Sequence, residues 1–176
     1  MGIQIIEVEN KKQLNKFTGF ARWLYCRNAF YTGSLKWEEK LRFSPKCIDL
    51  DKCLCKQFLA KDGGKVVGRI AVVVCDDGGK LCAKFTRFDF VDNRSVSEML
   101  FHAAVTYARR MGCVTIRGPI GFDGDDEKGL RIGKFDVKEE GTIYNYAYYM
   151  DHFVALGLEE DEDISQILRT YVKQVG

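Results

Sequence analysis

The chain has 176 residues, of which 46% are hydrophobic and 30% are charged, and its formal net charge is +2. This length and balance fit one globular domain with a sizeable core, so we predict a single domain over residues 1–176. The small net charge argues against a nucleic-acid partner or an acidic membrane surface. The chain has no apolar run long enough for a membrane span and no signal-peptide pattern, so we expect a cytoplasmic protein.

Seven cysteines in a chain without a signal-peptide pattern predict reduced thiols. The pair Cys53 and Cys55, with Cys47 upstream, lacks the C-x2-C spacing of zinc ligands, and no second ligand pair follows. We therefore predict no metal site and interpret the cysteines as small buried hydrophobic residues.

The first half of the chain predicts one strand, two helices and then an antiparallel meander of three strands. The apolar residues of 11–26 recur at helical spacing, and the glycines at 63–64 and 78–79 supply tight turns between strands. The expected bounds are 3–8 for the first strand, 11–26 and 34–41 for the helices, and 55–60, 66–75 and 81–91 for the meander.

The second half predicts a strand–helix–strand unit followed by a long loop. The long helix begins at Ser95, whose spacing to Glu98 matches a capping box, and it ends before Gly112. A strand over 113–117 completes a βαβ unit, which makes it parallel to an earlier strand. The remaining expectations are a polar loop over 118–141, a short helix over 148–156, and a segment over 164–172 for which we favour a strand over a helix.

Four tyrosines fall within six residues, at positions 144, 146, 148 and 149. A buried phenol needs a hydrogen-bond partner for its O–H group. A row of four therefore predicts a polar-lined cleft, or a rim where the aromatic rings pack and the hydroxyls face a ligand.

The loop before this row has four acids in five residues, at positions 123–127. It does not match the twelve-residue calcium-binding pattern. Three interpretations stay open: a solvated loop, a general base such as Glu127, or a contact between Asp123 and a cationic amine substrate.

An ordered set of short segments carries a family resemblance: Phe58-Leu59-Ala60, 64–71, Phe88-Asp89-Phe90 with Asp92, Gly112, Arg117-Gly118-Pro119, Gly129-Leu130, Gly133 with Phe135-Asp136, Tyr144-Asn145, Tyr148-Tyr149 and Gly157-Leu158. With these segments the chain resembles a group of uncharacterised bacterial GNAT-like proteins from about residue 8 to about residue 163, and the order of its predicted elements is that of the GNAT acyltransferase fold. The resemblance implies an α/β (α+β) fold with a mixed central sheet flanked by helices. It also implies an acyl-CoA-dependent N-acyltransferase that uses acetyl-CoA or another acyl-CoA and acts on an unknown small-molecule amine or peptide.

In such enzymes the donor pyrophosphate lies between the fourth strand and the long helix, usually on the sequence R/Q-x-x-G-x-G/A, where glycine lets the backbone approach the phosphates. This chain has no glycine there and carries Asp92. The competing interpretation is a capped structural helix in a non-enzymatic binding or regulatory domain that has lost the pyrophosphate loop. The cofactor-binding residues implied by the resemblance are Val91, Asn93, Arg94, Ser95 and Val96.

The resemblance also implies a tyrosine that protonates the leaving thiolate. The corresponding position is Phe153, which cannot donate a proton, so Tyr149 and Tyr148 are the substitutes, with Glu127 or a water for the base step. The expected cleft lies between the strands that end at Val91 and begin at Cys113. Residues proposed for substrate contacts are Asp123, Arg117, Asn145 and Tyr146, and those for a homodimer surface are Trp37 and Tyr31.

Overall fold

The computed structural model describes residues 2–33, 36–43, 53–122, 126, 128–138 and 144–176. Four helices and eight strands lie in this described part of the chain. In chain order they are β1 Gln4–Glu7, α1 Lys11–Leu24, α2 Lys36–Arg42, β2 Cys53–Asp62, β3 Lys65–Asp77, β4 Lys80–Phe90, α3 Arg94–Arg110, β5 Thr115–Gly118, β6 Leu130–Arg131, α4 Tyr149–Ala155, β7 Glu159–Ser165 and β8 Leu168–Gln174.

The strands form one mixed sheet in the order β1-β2-β3-β4-β5-β8-β6, with β7 paired to β8. Strands β1 to β4 are antiparallel neighbours, whereas β4 and β5 are parallel and joined through α3. The predicted fold class, an antiparallel meander followed by a βαβ unit in a mixed sheet, is therefore confirmed. No helix in the described part of the chain is both long and apolar enough to cross a membrane.

The C-terminal part differs from the prediction. The single strand expected over 164–172 is a hairpin of β7 and β8, and the short strand β6 lies inside the expected loop. Strand β7 begins with five consecutive acids, so it shows no apolar alternation from which a strand could be predicted. Its pairing with β8 is supported instead by Arg169, which contacts the carboxylates of Glu160 and Asp163.

The start of α3 also differs from the prediction. The N-cap is Asn93, whose side-chain oxygen accepts the Ser95 N–H at 3.0 Å, so the predicted capping box of Ser95 and Glu98 is wrong. Asparagine caps as well as serine does, and Asn93 has the extended backbone that a cap needs, two residues earlier in the chain.

The sheet has a core on each face. Helix α3 covers one face, where Leu100 and Phe101 pack with Ile70 and Phe85. Helix α1 covers the other through Phe17, which packs with Phe43, Leu59 and Ala71. The sheet thus has an aromatic core on its α3 side, and the charged residues described below are buried on its other side.

Strands β4 and β5 separate soon after they pair. Their register pairs are Ala83 with Ile116 and Lys84 with Arg117, and beyond Phe85 strand β4 pairs with β3 alone among the described strands. The register of β3 and β4 shifts here, and Arg87 has a φ of 51°, as expected of a bulge that bends β4. The separation leaves one edge of β4 open at its C-terminal end.

The cysteines are not all reduced in the structure. Cys53 and Cys75 are direct cross-strand partners on β2 and β3, with Cα atoms 4.2 Å apart, and they form a disulfide. The expectation of reduced thiols is therefore wrong for this pair. The pairing depends on the register of β2 and β3, which the spacing of the two cysteines in the sequence does not reveal. No group of three or more His, Cys, Asp or Glu in the described ranges is arranged to hold a metal ion.

Candidate functional site

A cavity of about 60 Å³ lies at the open end of β4, on the sheet face that α1 and α2 cover. The polar side chains at its wall include Tyr25 of α1, Glu39 of α2, Arg69 of β3, Arg87 and Asp89 of β4, and Tyr149 of α4.

Two buried arginines form an ion-pair network beside the cavity. Arg87 donates to Glu39 at 2.9 Å and to Asp126 at 2.8 Å, and Arg69 donates to Glu39 at 3.1 Å and to Asp89 at 2.7 Å. Burying such charges is costly unless each is paired and hydrogen-bonded. The network therefore ties α2 and the acidic loop to strands β3 and β4.

The arginines keep the Glu39 carboxyl ionised. Burial by itself would raise the pKa of Glu39, but the nearby Arg69 and Arg87 outweigh it and leave that pKa below its ordinary value. Burial likewise acts to lower the pKa of Arg69, and Asp89 and Glu39 reverse this and raise it. The cavity wall is thus a set of fixed charges of both signs.

A hydrogen-bonded line of three side chains leads to the cavity. The Tyr25 hydroxyl donates to Asp89 at 3.1 Å and bonds the Tyr149 hydroxyl at 2.8 Å, so Tyr149 donates in the second bond. Tyr149 in turn accepts the backbone N–H of Phe90 at 3.1 Å. Burial, followed by Tyr149 and the Asp89 carboxylate, raises the pKa of Tyr25 well above its ordinary value. Burial, followed by Asp89 and Tyr148, does the same to the pKa of Tyr149, although the hydrogen bond with Tyr25 acts to lower it. Both groups therefore keep their protons at neutral pH.

Tyr148 has a different place from Tyr149. Its hydroxyl donates to the carbonyl of Phe90 at 2.5 Å, and it is not one of the described residues that line the cavity. Burial raises the pKa of Tyr148, with smaller contributions from nearby acids. Together the two hydroxyls satisfy both backbone polar groups of Phe90 on the open edge of β4.

The other members of the tyrosine row are held by local hydrogen bonds. Tyr144 lines the cavity and accepts from the Asn28 amide at 2.5 Å, and Tyr146 donates to the carbonyl of Leu24 at 3.2 Å. Asn145 also lines the cavity, but its amide accepts the Arg131 N–H at 2.7 Å and donates to the Arg131 carbonyl at 3.0 Å. Two of the four tyrosines, Tyr144 and Tyr149, thus reach the cavity.

The remaining predicted substrate residues do not meet at the cavity in the described part of the chain. Arg117 is exposed on β5 and pairs with Asp161 at 3.1 Å. Asp123 and Glu127 lie outside the described residues. Their neighbour Asp126 is buried against Arg87.

Several N–H groups around the start of α3 already have acceptors within the chain. The Ser95 N–H donates to the Asn93 side chain and the Val96 N–H to the Asn93 carbonyl at 3.0 Å, while the Val91 N–H donates to Val67 on β3. Of the five residues implied to bind the donor, Arg94 alone brings a positively charged side chain. The start of α3 is therefore capped by the side chain of Asn93.

His152 joins α4 to this helix start. Its Nδ1 is hydrogen-bonded to the buried Ser97 hydroxyl at 2.7 Å and its Nε2 to the Asp92 carboxylate at 3.0 Å. This contact fixes α4, and with it Tyr149, relative to the end of β4.

Sequence reasoning missed Tyr25, Glu39, Arg87, Asp89 and Asp126 as site residues. One signal for the strand residues was available, since Arg69 is a charge within an apolar stretch of β3, and Arg87 and Asp89 lie among the phenylalanines of β4. A charge in such a position needs a buried partner or a function. Tyr25 and Glu39 carry no comparable signal, because each lies on an amphipathic helix with many polar neighbours.

Solved structures share this architecture. An acetyltransferase of the GNAT family from Staphylococcus aureus Mu50 superposes with a TM-score of 0.67 over 99% of this chain and 100% of that chain, at 12% identity. This chain has the GNAT fold. The putative acetyltransferase yncA from Salmonella typhimurium, solved with acetyl-CoA, gives 0.62 over 100% of this chain and 95% of that chain, at 11% identity. A tandem GNAT protein from the clavulanic acid biosynthesis pathway gives 0.64 over 92% of this chain and 45% of that chain, at 13% identity.

Two curated relatives of this GNAT-fold chain are longer than it is. Protein YghO of Escherichia coli K12 is 28% identical over 160 residues, which cover 88% of this chain and 41% of the relative. The bacterial ceramide synthase of Caulobacter vibrioides is 26% identical over 195 residues, which cover 98% of this chain and 50% of the relative. The chain thus spans half or less of each relative. No protein-family profile matches the sequence.

Proposed function

We propose that this chain transfers an acyl group from an acyl-CoA to the nitrogen of an amine. The observation that carries the proposal is the hydrogen-bonded line from Asp89 through Tyr25 to Tyr149, which reaches a cavity beside the gap between β4 and β5. The same fold serves acetyltransferases, one of them solved with acetyl-CoA.

The line can carry one proton from the attacking amine to the departing thiolate. The amine nitrogen forms a bond to the thioester carbon, and its proton passes to Asp89 directly or through a water in the cavity. Tyr149 gives its proton to the sulfur as the carbon–sulfur bond breaks, Tyr25 restores the proton of Tyr149, and Asp89 restores that of Tyr25. The hydroxyls of Tyr25 and Tyr149 must rotate for these transfers, because at rest Tyr149 donates to Tyr25 and Tyr25 donates to Asp89. After rotation, each proton moves between atoms already within hydrogen-bond reach or to a reactant in the cavity, as general acid–base catalysis requires.

The acceptor proposed is a small-molecule amine or a peptide amine. One relative carries the name ceramide synthase, which denotes amide formation on a long-chain amine, so a sphingoid base belongs among the acceptors to test.

The test is a transfer assay in which acetyl-CoA and palmitoyl-CoA are each offered with a polyamine, a lysine peptide and a sphingoid base, and the amide and free CoA are measured by mass spectrometry. We expect an amide with at least one pair of substrates. Tyr149→Phe should lower kcat by about 10²- to 10⁴-fold, the usual contribution of a positioned acid. Tyr148→Phe is the matched control, because it removes a neighbouring hydroxyl outside the cavity lining and should change kcat only a few-fold. Equal losses in both variants would contradict the role of Tyr149.

A second candidate function is a non-enzymatic ligand-binding or regulatory domain. The observation that favours it is the start of α3, where the Asn93 side chain accepts the hydrogen bond of the Ser95 N–H and Asp92 adds a negative charge beside His152. Under this alternative, neither millimolar acetyl-CoA nor CoA raises the melting temperature, because a ligand stabilises a protein only in proportion to its binding to the folded state. A saturable rise together with amide formation would reject the alternative.

A further inference from the structure

Three cysteines form a row across three adjacent strands. Cys53 on β2 is the cross-strand partner of Cys75 on β3, and Cys75 is also the cross-strand partner of Cys82 on β4. Cys53 and Cys75 are joined in a disulfide, whereas Cys82 is a free thiol. Cys75 thus has a bonded sulfur on one side and a thiol on the other.

The register gives the row a geometry suited to exchange. Directly opposed residues of antiparallel strands point to the same face of a sheet, with Cβ atoms about 4.5–5.5 Å apart. Neighbouring strands lie about 4.7–4.9 Å apart, so a row of three such residues runs nearly straight across the sheet. Cys82 and Cys53 therefore lie on opposite sides of Cys75, which is the arrangement that an attacking thiol and a departing sulfur need. All three residues are partly exposed, so solvent can reach the row.

We propose that Cys53, Cys75 and Cys82 form a thiol–disulfide exchange site. The Cys82 thiolate attacks the sulfur of Cys75, a Cys75–Cys82 bond forms, the Cys53–Cys75 bond breaks, and Cys53 leaves as a thiolate. One disulfide is consumed and one is made, so the step needs no external oxidant or reductant. The exchange moves the covalent link from β2–β3 to β3–β4.

None of the other described cysteines is a cross-strand partner of Cys75. Cys55 faces Val73 on β3, and burial raises the pKa of its thiol to about 12, which keeps it protonated. Cys113 is buried under α3, and burial, followed by the nearby Cys82, raises the pKa of its thiol. Cys26 lies just beyond the end of α1 and belongs to no strand. The register alone assigns the exchange to Cys82.

The exchange has a consequence at the start of β2. Cys53 is the first residue of that strand, and the disulfide ties it to β3. After exchange this tie is lost and Cys53 becomes a free thiol, open to alkylation or to a mixed disulfide with a small disulfide such as oxidised glutathione. The row is thus a modification site, in which attack by Cys82 makes the Cys53 thiol available.

The test traps the thiols of the full chain. The protein is kept oxidised at pH 8, treated with iodoacetamide, digested without reductant and mapped by mass spectrometry. We expect the wild type to contain both linkages, Cys53–Cys75 and Cys75–Cys82, and to be alkylated at Cys53. Cys82→Ser should keep Cys53–Cys75 alone and lose at least tenfold in Cys53 alkylation rate. Cys55→Ser and Cys113→Ser are matched controls, and the wild-type pattern should persist in both.

A second variant tests the new linkage by itself. Cys53→Ser, reduced and then reoxidised with oxidised glutathione, should form Cys75–Cys82. The proposal is overturned if Cys53 is alkylated at the same rate in wild type and Cys82→Ser. It is also overturned if a folded Cys53→Ser forms no Cys75–Cys82 bond; should that variant fail to fold, the Cys82→Ser comparison decides alone. Neither result depends on acyl transfer.

Discussion

Arg87 has a left-handed backbone conformation, with a φ of 51°, in the bulged part of β4. Non-glycine residues rarely adopt this conformation, so the surrounding contacts must hold it there. The guanidinium is buried between Glu39 and Asp126 and lies over the ring of Phe43 at 5.7 Å. A single residue thus connects the bend of β4, α2 and the acidic loop.

Replacing Arg87 tests this connection at the residue scale. Arg87→Met leaves two buried carboxylates without their main partner, and breaking a buried pair in this way costs about 3–5 kcal/mol. We expect a loss of that size in the free energy of unfolding, measured by urea titration at pH 7. Lys128→Gln, which breaks an exposed pair with Glu162, is the control and should leave the midpoint unchanged. An Arg87→Met protein as stable as wild type would show that the network contributes nothing to folding.

At the scale of elements, the site depends on how the helices pack on the sheet. Helix α4 has only seven residues, and so short a helix is not stable by itself in water. Tyr148, Tyr149 and His152 bond it to the end of β4 and the start of α3, and Phe153 is buried between Phe85 and Tyr171. Its residues reach the cavity because the neighbouring elements hold it there.

The contact between α3 and β3 depends on a glycine. A Cβ at Gly68 would lie 2.6 Å from Leu100 and 2.9 Å from Val96 on α3. Gly68→Ala should therefore lower the free energy of unfolding by about 1–3 kcal/mol through overpacking. Gly19→Ala on α1 is the matched control, because its Cβ meets nothing within 4 Å and alanine favours a helix by about 1 kcal/mol. Chemical denaturation should move the two midpoints in opposite directions, and a shift of both the same way would contradict the packing argument.

At the scale of the whole molecule, the buried charges predict how stability depends on pH. The folded pKa of Glu39 is depressed, so its contribution is present above its unfolded pKa of about 4.3 and is lost as pH falls through the folded value. We expect the free energy of unfolding to fall below about pH 4.3, and to fall less steeply in Glu39→Gln, which is already less stable at pH 7. Glu162→Gln, which breaks an exposed pair with Lys128, should keep the wild-type slope. A wild-type slope in Glu39→Gln would refute this assignment.

The sequence predicted some elements well and others poorly, depending on whether an element is determined by its own residues or by distant partners. The apolar period of α3 and the glycine turns of the meander are local, so their elements were predicted within a few residues. The five acids of β7 form a strand only because β8 and its Arg169 lie beside them, and the cap of α3 depends on which of two nearby polar residues takes the extended backbone. Of the site, Tyr149 was proposed from the family resemblance as a substitute for Phe153, whereas Tyr25 and Asp89 lie 124 and 60 residues away in the chain.

The sequence by itself determined the fold class, the order of the main elements and the segment that brings a phenol to the site. These follow from periodicity, turn residues and propensities, which act over a few neighbouring positions. Only the tertiary structure decided which charges pair around Arg87, which hydroxyls line the cavity, and that Cys53, Cys75 and Cys82 stand in one row. Those contacts depend on strand register and on the bend of β4, and both arise from packing between segments far apart in the chain.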